Sequence, residues 1–306
     1  MTLQQINYAI TIAETGSMNK AAVKLYISQP SLTSSIKVLE KEVGINIFIR
    51  SGRGVALTPE GEEFLMYARQ VYQQFELLNE KYIKKGVSKK KFGVSTQHYS
   101  FAAKVFAETV KQFDTRKFEF AFRETKIQKV LEDVGNFKSE VGVVCINSSN
   151  EKFILKLLGE KDLKFNQLVE DSSYVFLYKG HTLAKEKSIG IEQLLGYPYL
   201  EFGQDDIGAF CLNDDVFDDI TIERSIKVSD RATMLNLIKE LNGYTLCSET
   251  ICKNFYDSDY ITVPFKENTV KNSVMKIGYI TKKRAVLSEV ARVYVEQLQN
   301  YFKSTI

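Results

Sequence analysis

The chain contains 306 residues with a formal net charge of +3, and 44% of its residues are hydrophobic. That length exceeds a single typical core, so we expect two or three domains. The first residues lack a basic stretch followed by an apolar core, and no apolar run is long enough to cross a bilayer. These features argue against an exported or membrane-embedded protein, and we expect a cytoplasmic protein with no membrane partner.

The first 50 residues predict three helices. One helix is marked by apolar residues from Leu3 to Ala13, and residues 21–50 form two further helices joined by a tight turn. The last of the three has Leu32, Ile36 and Leu39 on its buried side, which leaves a polar face free to enter the major groove of DNA. Helix pairs are also common in enzymes. The flanking segments are therefore needed to distinguish a DNA-binding domain from an enzyme. The candidate DNA-contacting residues of this helix are Gln29, Pro30, Ser31, Thr33, Ser34 and Lys37.

A β-hairpin wing is predicted after the third helix. Two glycines lie among arginines over residues 50–57, between short apolar runs. The guanidinium groups of Arg50 and Arg53 are therefore candidates to contact phosphates or a minor groove. The sequence predicts a winged helix-turn-helix DNA-binding domain over residues 1–58.

The same segment resembles the amino-terminal domain of LysR-type transcriptional regulators. The resemblance covers about sixty residues in fixed order, with Thr33 where that family often has serine. It implies a double-stranded operator DNA partner. The residues that carry it are Leu3, Gln5, residues 13–17, Ala21, Ala22, Leu25, residues 28–32, Ile36, Leu39, Glu40, Gly44, Phe48, Arg50, residues 57–59 and Gly61.

A long helix is predicted over residues 59–90, capped by Thr58 and ending near Gly86. Its apolar residues recur at alternating spacings of four and three, a seam that needs a partner helix. The partner is either another helix of the same chain or a second subunit. The resemblance favours a subunit, and it implies a homodimer and a homotetramer. The seam consists of Phe64, Ala68, Val71, Phe75, Leu78 and Tyr82.

The charge is concentrated at the amino-terminal end. Residues 1–91 carry 13 basic and 8 acidic side chains, a formal charge of +5, and the remainder carries −2. A basic amino-terminal segment on an otherwise nearly neutral chain is typical of a DNA-binding domain joined to a domain with a different function. The run of lysines at 89–91 is explained equally well as part of a linker.

Residues 91–306 predict two α/β lobes with parallel strands and crossover helices. We place lobe I at about 91–168 and 265–306, lobe II at about 169–264, and the crossings near Val169 and Pro264. A looser resemblance to the LysR effector domain, carried by residues 180–184, 194, 197–198 and 242–244, implies a periplasmic-binding-protein-like fold. The predicted strands are residues 92–95, 117–123, 141–146, 172–178, 199–202 and 244–247, and the predicted helices are 101–113, 127–137, 231–241 and a last helix over about 287–301 that returns to lobe I.

Hydroxyl and amide side chains follow the first predicted strand of lobe I and precede a helix. Such a junction favours an anion, although one of these residues is also explained as a helix cap. From lobe II, Arg231 is a candidate to pair with a carboxylate, or it is a surface residue. The candidate ligand-binding residues are Ser95, Thr96, Gln97, His98, Tyr99, Asn147, Phe202, Gly203, Ser229 and Arg231.

The four cysteines are Cys145, Cys211, Cys247 and Cys252. They form no Cys-x-x-Cys pair and have no nearby histidine at ligand spacing. We therefore predict reduced, mostly buried thiols, no metal, no disulfide framework and no cofactor.

Taken with the resemblance, these features predict an α/β protein that is a LysR-type regulator, whose operator binding is modulated by a small anionic metabolite between the lobes. An enzyme is disfavoured, because no nucleophile elbow or glycine-rich phosphate loop is present and no acid is positioned to orient His98. The alternative is a cytoplasmic solute-binding or interaction protein without a DNA role. The predicted winged helix opposes that alternative.

Overall fold

The computed structural model describes residues 1–51, 54–83, 90–113, 117–147, 150–202, 223–248, 259–266 and 274–303. The chain divides into two compact units, Met1–Lys89 and Lys90–Ile306. Each unit is described by itself below.

The first unit begins with three helices, α1 (Leu3–Thr15), α2 (Met18–Lys24) and α3 (Gln29–Val43). A side-chain oxygen caps the amino end of each helix, and α1 and α3 end at glycines with left-handed backbone. These caps fix the short turns that set α2 against α3. The core of the unit includes Ile6, Ala9, Ile12, Ala21, Leu32, Ile36, Leu39, Ile47 and Leu65.

The predicted wing is confirmed as an antiparallel hairpin of β1 (Phe48–Ser51) and β2 (Gly54–Leu57). It is followed by α4 (Pro59–Tyr82), whose N-cap Thr58 accepts a hydrogen bond from the Gly61 N–H at 2.8 Å. Gly61 has no room for a side chain, because a Cβ atom would lie 2.1 Å from the carbonyl oxygen of Ile47. The close approach holds the start of α4 against the segment before the wing.

The second unit is built on a mixed sheet whose described strands are ordered β4-β3-β5-β11-β6-β9-β7-β8, with β10 also paired to β6. Its strands are β3 (Lys90–Thr96), β4 (Phe118–Glu124), β5 (Val141–Asn147), β6 (Leu163–Tyr178), β7 (Tyr199–Phe202), β8 (Ser225–Val228), β9 (Tyr244–Ser248), β10 (Tyr260–Pro264) and β11 (Val274–Lys282). Its helices are α5 (Ser100–Gln112), α6 (Ile127–Gly135), α7 (Glu151–Glu160), α8 (Ile191–Leu194), α9 (Arg231–Glu240) and α10 (Glu289–Lys303).

The long strand β6 joins the two lobes. Its first part, up to Ser172, pairs with β11, and from Ser173 onward it pairs with β9 and β10. The exchange of partners therefore takes place inside one continuous strand, at Ser172–Ser173. This region adjoins the predicted crossing at Val169. Strand β6 is therefore a direct structural connection between the two lobes.

The predicted α/β class is confirmed, and so are the predicted parallel strands, except that the predicted strand 172–178, which is part of β6, runs antiparallel to its neighbours. Strands β3, β4 and β5 are parallel, as are β7, β8 and β9, whereas β6 and β11 run antiparallel to their neighbours. The sequence pattern did not predict β8, β10, β11, α7, α8 or the first half of β6. Alternating exposed polar residues hide the apolar period of β6, as expected for a strand that is only half buried.

The expectation of four reduced thiols is wrong at Cys247, which is disulfide-bonded. Cys145 is a buried thiol, as predicted, and Cys211 and Cys252 lie outside the described residues. Pairing depends on the distance between Cα atoms, which cysteine spacing does not reveal. Among the described helices, none is long and apolar enough to cross a membrane.

Candidate functional site

The polar face of α3 lies exposed, as the helical spacing predicts. Leu32, Ile36 and Leu39 are fully buried beneath the helix. The opposite face exposes the residues that were predicted to contact DNA, with Thr33 half-buried; they are Gln29, Pro30, Ser31, Ser34 and Lys37. Small polar side chains lie at the amino end of this face, and a lysine lies further along the helix. The face therefore offers hydrogen-bonding groups for base edges and a positive charge for phosphates.

Local hydrogen bonds order the amino end of α3. Ser28 caps the helix by accepting from the Ser31 N–H at 3.2 Å, and the two hydroxyls lie 2.7 Å apart. The Gln29 amide donates to the Thr33 hydroxyl at 3.0 Å. Because these partners are neighbours on the same helix, the polar face is formed before any DNA binds.

The wing residues are described only in part. Arg50 pairs with Val55 in the hairpin register, but its side chain and the whole of Arg53 lie outside the described residues. The predicted contacts of these two arginines with DNA therefore stay predictions.

In the second unit, the candidate ligand residues lie where strands end, at the carboxyl edges of parallel strands, which is where ligands bind in open α/β sheets. Thr96 ends β3, Asn147 ends β5 and Phe202 ends β7. Thr96 is fully buried, and its Oγ1 has no hydrogen-bond partner among the described residues. A buried hydroxyl without such a partner is uncommon and costs free energy, so Thr96 Oγ1 is a candidate to bind a ligand.

The structure contradicts the alternative that a Ser or Thr side chain only caps α5. The N-cap of α5 is Tyr99, which makes no side-chain capping hydrogen bond. Tyr99 instead donates its hydroxyl proton to Gln97 Oε1 at 2.7 Å, and the Cys145 N–H donates to the same oxygen at 3.0 Å. Gln97 and Tyr99 thus cross-link β3 to β5 and position the start of α5.

Ser95 lies on the opposite face of β3 from Thr96. Its hydroxyl donates to Asp133 Oδ2 at 2.7 Å and lies 2.8 Å from the hydroxyl of Ser139. Asn147 is also engaged locally, because its Oδ1 accepts from the Asn150 N–H at 2.9 Å while the Asn147 N–H donates to Asn150 Oδ1 at 3.0 Å. Ser95 therefore does not share a face with Thr96, and Asn147 anchors the start of α7.

Side chains from the two lobes meet around Glu124, at the end of β4. Arg231 Nη2 donates to Glu124 Oε1 at 2.9 Å, and His98 Nδ1 donates to Oε2 at 3.3 Å. The His98 ring stacks on Phe202, with 3.9 Å between ring centroids and 14° between planes. The hydrogen bond from His98, opposed by burial and aided by the charge of Arg231, lowers the pKa of Glu124 below its ordinary value. We refer to Glu124, Arg231, His98 and Phe202 as the cleft latch.

Two family models match this chain. The model for a bacterial regulatory helix-turn-helix protein of the lysR family matches residues 3–62, and the model for the LysR substrate binding domain matches residues 128–303. The chain belongs to the LysR family. It is a LysR-type DNA-binding transcriptional regulator, and the prediction made from its amino-terminal motif is confirmed.

Curated relatives of this LysR-family regulator are themselves regulators. It is 23% identical to the HTH-type transcriptional regulator YvbU of Bacillus subtilis over 99% of both chains. It is 26% identical to the activator CmpR of Synechocystis over 65% of this chain and 62% of that protein, and 44% identical to TfdT of Cupriavidus pinatubonensis over 23% and 31%. The matches to TfdT and CmpR thus span less than two thirds of those relatives. These names describe regulators, so the protein is not an enzyme.

Solved structures share the fold. A full-length single-residue variant of OxyR from Pseudomonas aeruginosa matches with a TM-score of 0.70 and 18% identity, covering 99% of this chain and 95% of that one. Full-length CbnR, whose structure contains its target DNA, matches with a TM-score of 0.54 and 16% identity over 98% and 100%. At these identities the likeness concerns the fold alone.

Glu124 was missed by the sequence analysis of this LysR-family regulator. In the sequence, Glu124 is marked only by its position at the end of a predicted strand, and it belongs to no motif. Of the predicted lobe II residues, the structure brings Phe202 and Arg231 to the lobe I edge, while Ser229 is exposed beside α9. Gly203 lies outside the described residues.

Proposed function

We propose that this LysR-family regulator binds operator DNA as a homodimer, with a homotetramer as the larger assembly, and that a small anionic effector between the lobes modulates this binding. We also propose the domain limits given above, 1–58, 59–90 and 91–306. Three features support the proposal: the exposed polar face of α3, the exposed later part of the apolar seam on α4 and the buried hydroxyl of Thr96. The first part of the seam, at Phe64 and Ala68, packs in the core of the first unit.

The seam on α4 supports the dimer. Val71 and Leu78 are 49% and 53% exposed, and Tyr67 and Tyr82 extend the same apolar line. Large apolar side chains at heptad spacing rarely remain in water, because a partner helix removes their surface from solvent. DNA-binding proteins of the helix-turn-helix class bind the paired half-sites of an operator as symmetric dimers. A second copy of α4 is therefore the proposed partner.

Thr96 carries the effector part of the proposal. Its hydroxyl lies on the β3 face shared with Phe92 and Val94, close in sequence to the N–H groups at the start of α5. A helix start favours an anion, and the hydroxyl adds a specific donor. Because Thr96 is fully buried, an effector reaches it only after the groups that cover it have moved. Effector binding is thereby coupled to the arrangement of the lobes.

The proposal is tested in two steps. Purified full-length protein should retard DNA from upstream of its own gene more strongly than random DNA of equal length. A thermal-shift screen of small acids should then find a compound that raises the melting temperature and alters that retardation. Failure to retard the DNA would contradict operator binding, whereas retardation that no acid alters would contradict only the anionic effector.

A further inference from the structure

The contact between Glu124 and Arg231 places a carboxylate of the protein on the guanidinium group that the sequence analysis named as a candidate partner for an effector carboxylate. The two side chains come from different lobes and are 31% and 23% exposed, with 2.9 Å between Oε1 and Nη2. A guanidinium group and a carboxylate form strong, directional hydrogen bonds. The protein thus supplies to Arg231 the same chemical group that an anionic effector offers.

Other groups hold Glu124 in this position. His98 donates to the second carboxylate oxygen and is itself fixed by stacking on Phe202. The lowered pKa of Glu124 keeps the carboxylate ionised at neutral pH. Among the described residues, Asp230 also lies near His98, but its side chain accepts from the Thr233 N–H and hydroxyl at the start of α9. Glu124 is therefore a carboxylate that the described residues position on Arg231.

We infer that Glu124 is a built-in competitor that sets effector specificity in this regulator: an anion binds the Nη2 donor of Arg231 only if it displaces the Glu124 carboxylate. This inference rests on the proposed function, which it deepens. A tethered group acts at an effective concentration in the millimolar range or above. An acid that offers nothing beyond one carboxylate exchanges one ion pair for an equal one and is excluded. An effector has to bring a second polar group, and the buried hydroxyl of Thr96 is the site that the proposed function offers to it.

The reactivity of Arg231 tests the inference without knowledge of the effector. Phenylglyoxal modifies accessible guanidinium groups, and peptide mass spectrometry reports the rate at each arginine. In full-length Glu124→Gln, we expect Arg231 to react about tenfold faster than in the parent, the factor that corresponds to loss of a contact worth about 1.4 kcal/mol. Arg224 serves as an internal reference, because its Nη1 donates to the Gly196 carbonyl oxygen instead. Equal rates at Arg231 in both proteins would overturn the inference.

A matched control separates the loss of this contact from the loss of one negative charge. Glu151 pairs with Lys276 at 2.8 Å with side-chain exposures of 36% and 33%, close to those of the latch pair. Glu151→Gln removes the same charge from the same unit but leaves Arg231 paired with Glu124. We expect the parent rate at Arg231 in this variant. A rise equal to that in Glu124→Gln would assign the effect to net charge and overturn the inference.

A second arm uses acetate at constant ionic strength as the one-carboxylate probe. Acetate should restore protection of Arg231 in Glu124→Gln and should not alter its rate in the parent. Acetate that leaves Arg231 unprotected in the variant would overturn the competition. These outcomes are independent of the effector screen: if no acid binds the parent but acetate protects the variant, the proposed anionic effector fails while the role of Glu124 stands.

Discussion

The polar side chains of α3 and those at the strand ends of the second unit differ in what they contact. On α3, hydrogen bonds join residues three or four positions apart, and the face remains exposed. In the second unit, Ser95 contacts Asp133, and Glu124 contacts Arg231, across long stretches of chain. The proposed DNA-reading face is therefore ordered by local hydrogen bonds, whereas the proposed effector region is held by contacts between distant segments of the protein. On the proposed function, we expect the first to bind without rearrangement and the second to rearrange.

The largest effect is expected when the proposed dimer, on which operator binding by α3 depends, is disrupted. Replacing both Val71 and Leu78 with Glu should separate the dimer and abolish binding to a two-half-site operator, because charge is costly in an apolar seam and single readers lose the linked half-site. Sedimentation and gel retardation measure the two effects. Gln70→Glu adds a charge to the same helix away from the seam and should retain both assembly and binding. An unchanged sedimentation coefficient in the double variant would contradict the proposed dimer.

The effector region is tested by Thr96→Val, which keeps the shape and removes the hydroxyl. Calorimetry with the acid found in the screen should show a loss of about 1.5 to 3 kcal/mol in binding free energy, the value of a hydrogen bond to a charged group. Without effector, the variant should be as stable as the parent or more so, because it removes a buried hydroxyl that has no partner. Unchanged affinity would place the effector elsewhere.

The neighbouring Ser95→Ala is the matched control for that experiment. Its hydroxyl has partners in Asp133 and Ser139, so its loss should reduce the free energy of unfolding by about 1 to 3 kcal/mol. Effector affinity should not change, because the side chain lies on the other face of β3. The two adjacent substitutions are thus expected to have opposite effects on stability and on binding.

The preformed reading face is tested by Gln29→Ala. We expect a loss of about 1 to 3 kcal/mol in discrimination between the operator and a site changed at one base pair. Lys37→Ala should instead weaken binding to operator and random DNA alike and reduce the salt dependence. Retardation assays over a series of salt concentrations measure both quantities. Equal losses on operator and random DNA for Gln29→Ala would contradict a base-reading role.

The smallest effect is expected from His181, in lobe II away from the latch. Its Nδ1 accepts from the Leu183 N–H, so Nε2 donates to the Asn242 carbonyl oxygen at 3.1 Å, and burial lowers the pKa of His181 below its ordinary value of 6.5. The unfolded chain takes up a proton near pH 6.5 before the folded protein does, so stability is full above that value and is lost below it. The fall in melting temperature from pH 7 to pH 5 should be smaller in His181→Gln. An equal fall in both proteins would contradict this assignment.

The sequence predicted the first unit almost completely, since its helices, caps and wing depend on residues close together in the chain. The helical spacing of the apolar residues in α3 predicted both its buried side and its exposed polar face. In the second unit, the strand β11 and most of the contacts of the candidate site were not predicted. Ser95 and Thr96 are adjacent in sequence, but only the packing of α6 on one face of β3 distinguishes a structural hydroxyl from one without a partner.

The class of protein, the exposed polar face of α3 and the strand ends where polar side chains gather are all predictable from the sequence, because they arise from local periodicity, capping and fixed motif order. Which of those side chains contact one another depends on the tertiary structure. Glu124 and Arg231 are brought together by β4 and α9 from different lobes, and their ion pair depends on how β6 connects those lobes. A contact between distant segments is set by the packing of the whole unit, which no local pattern encodes.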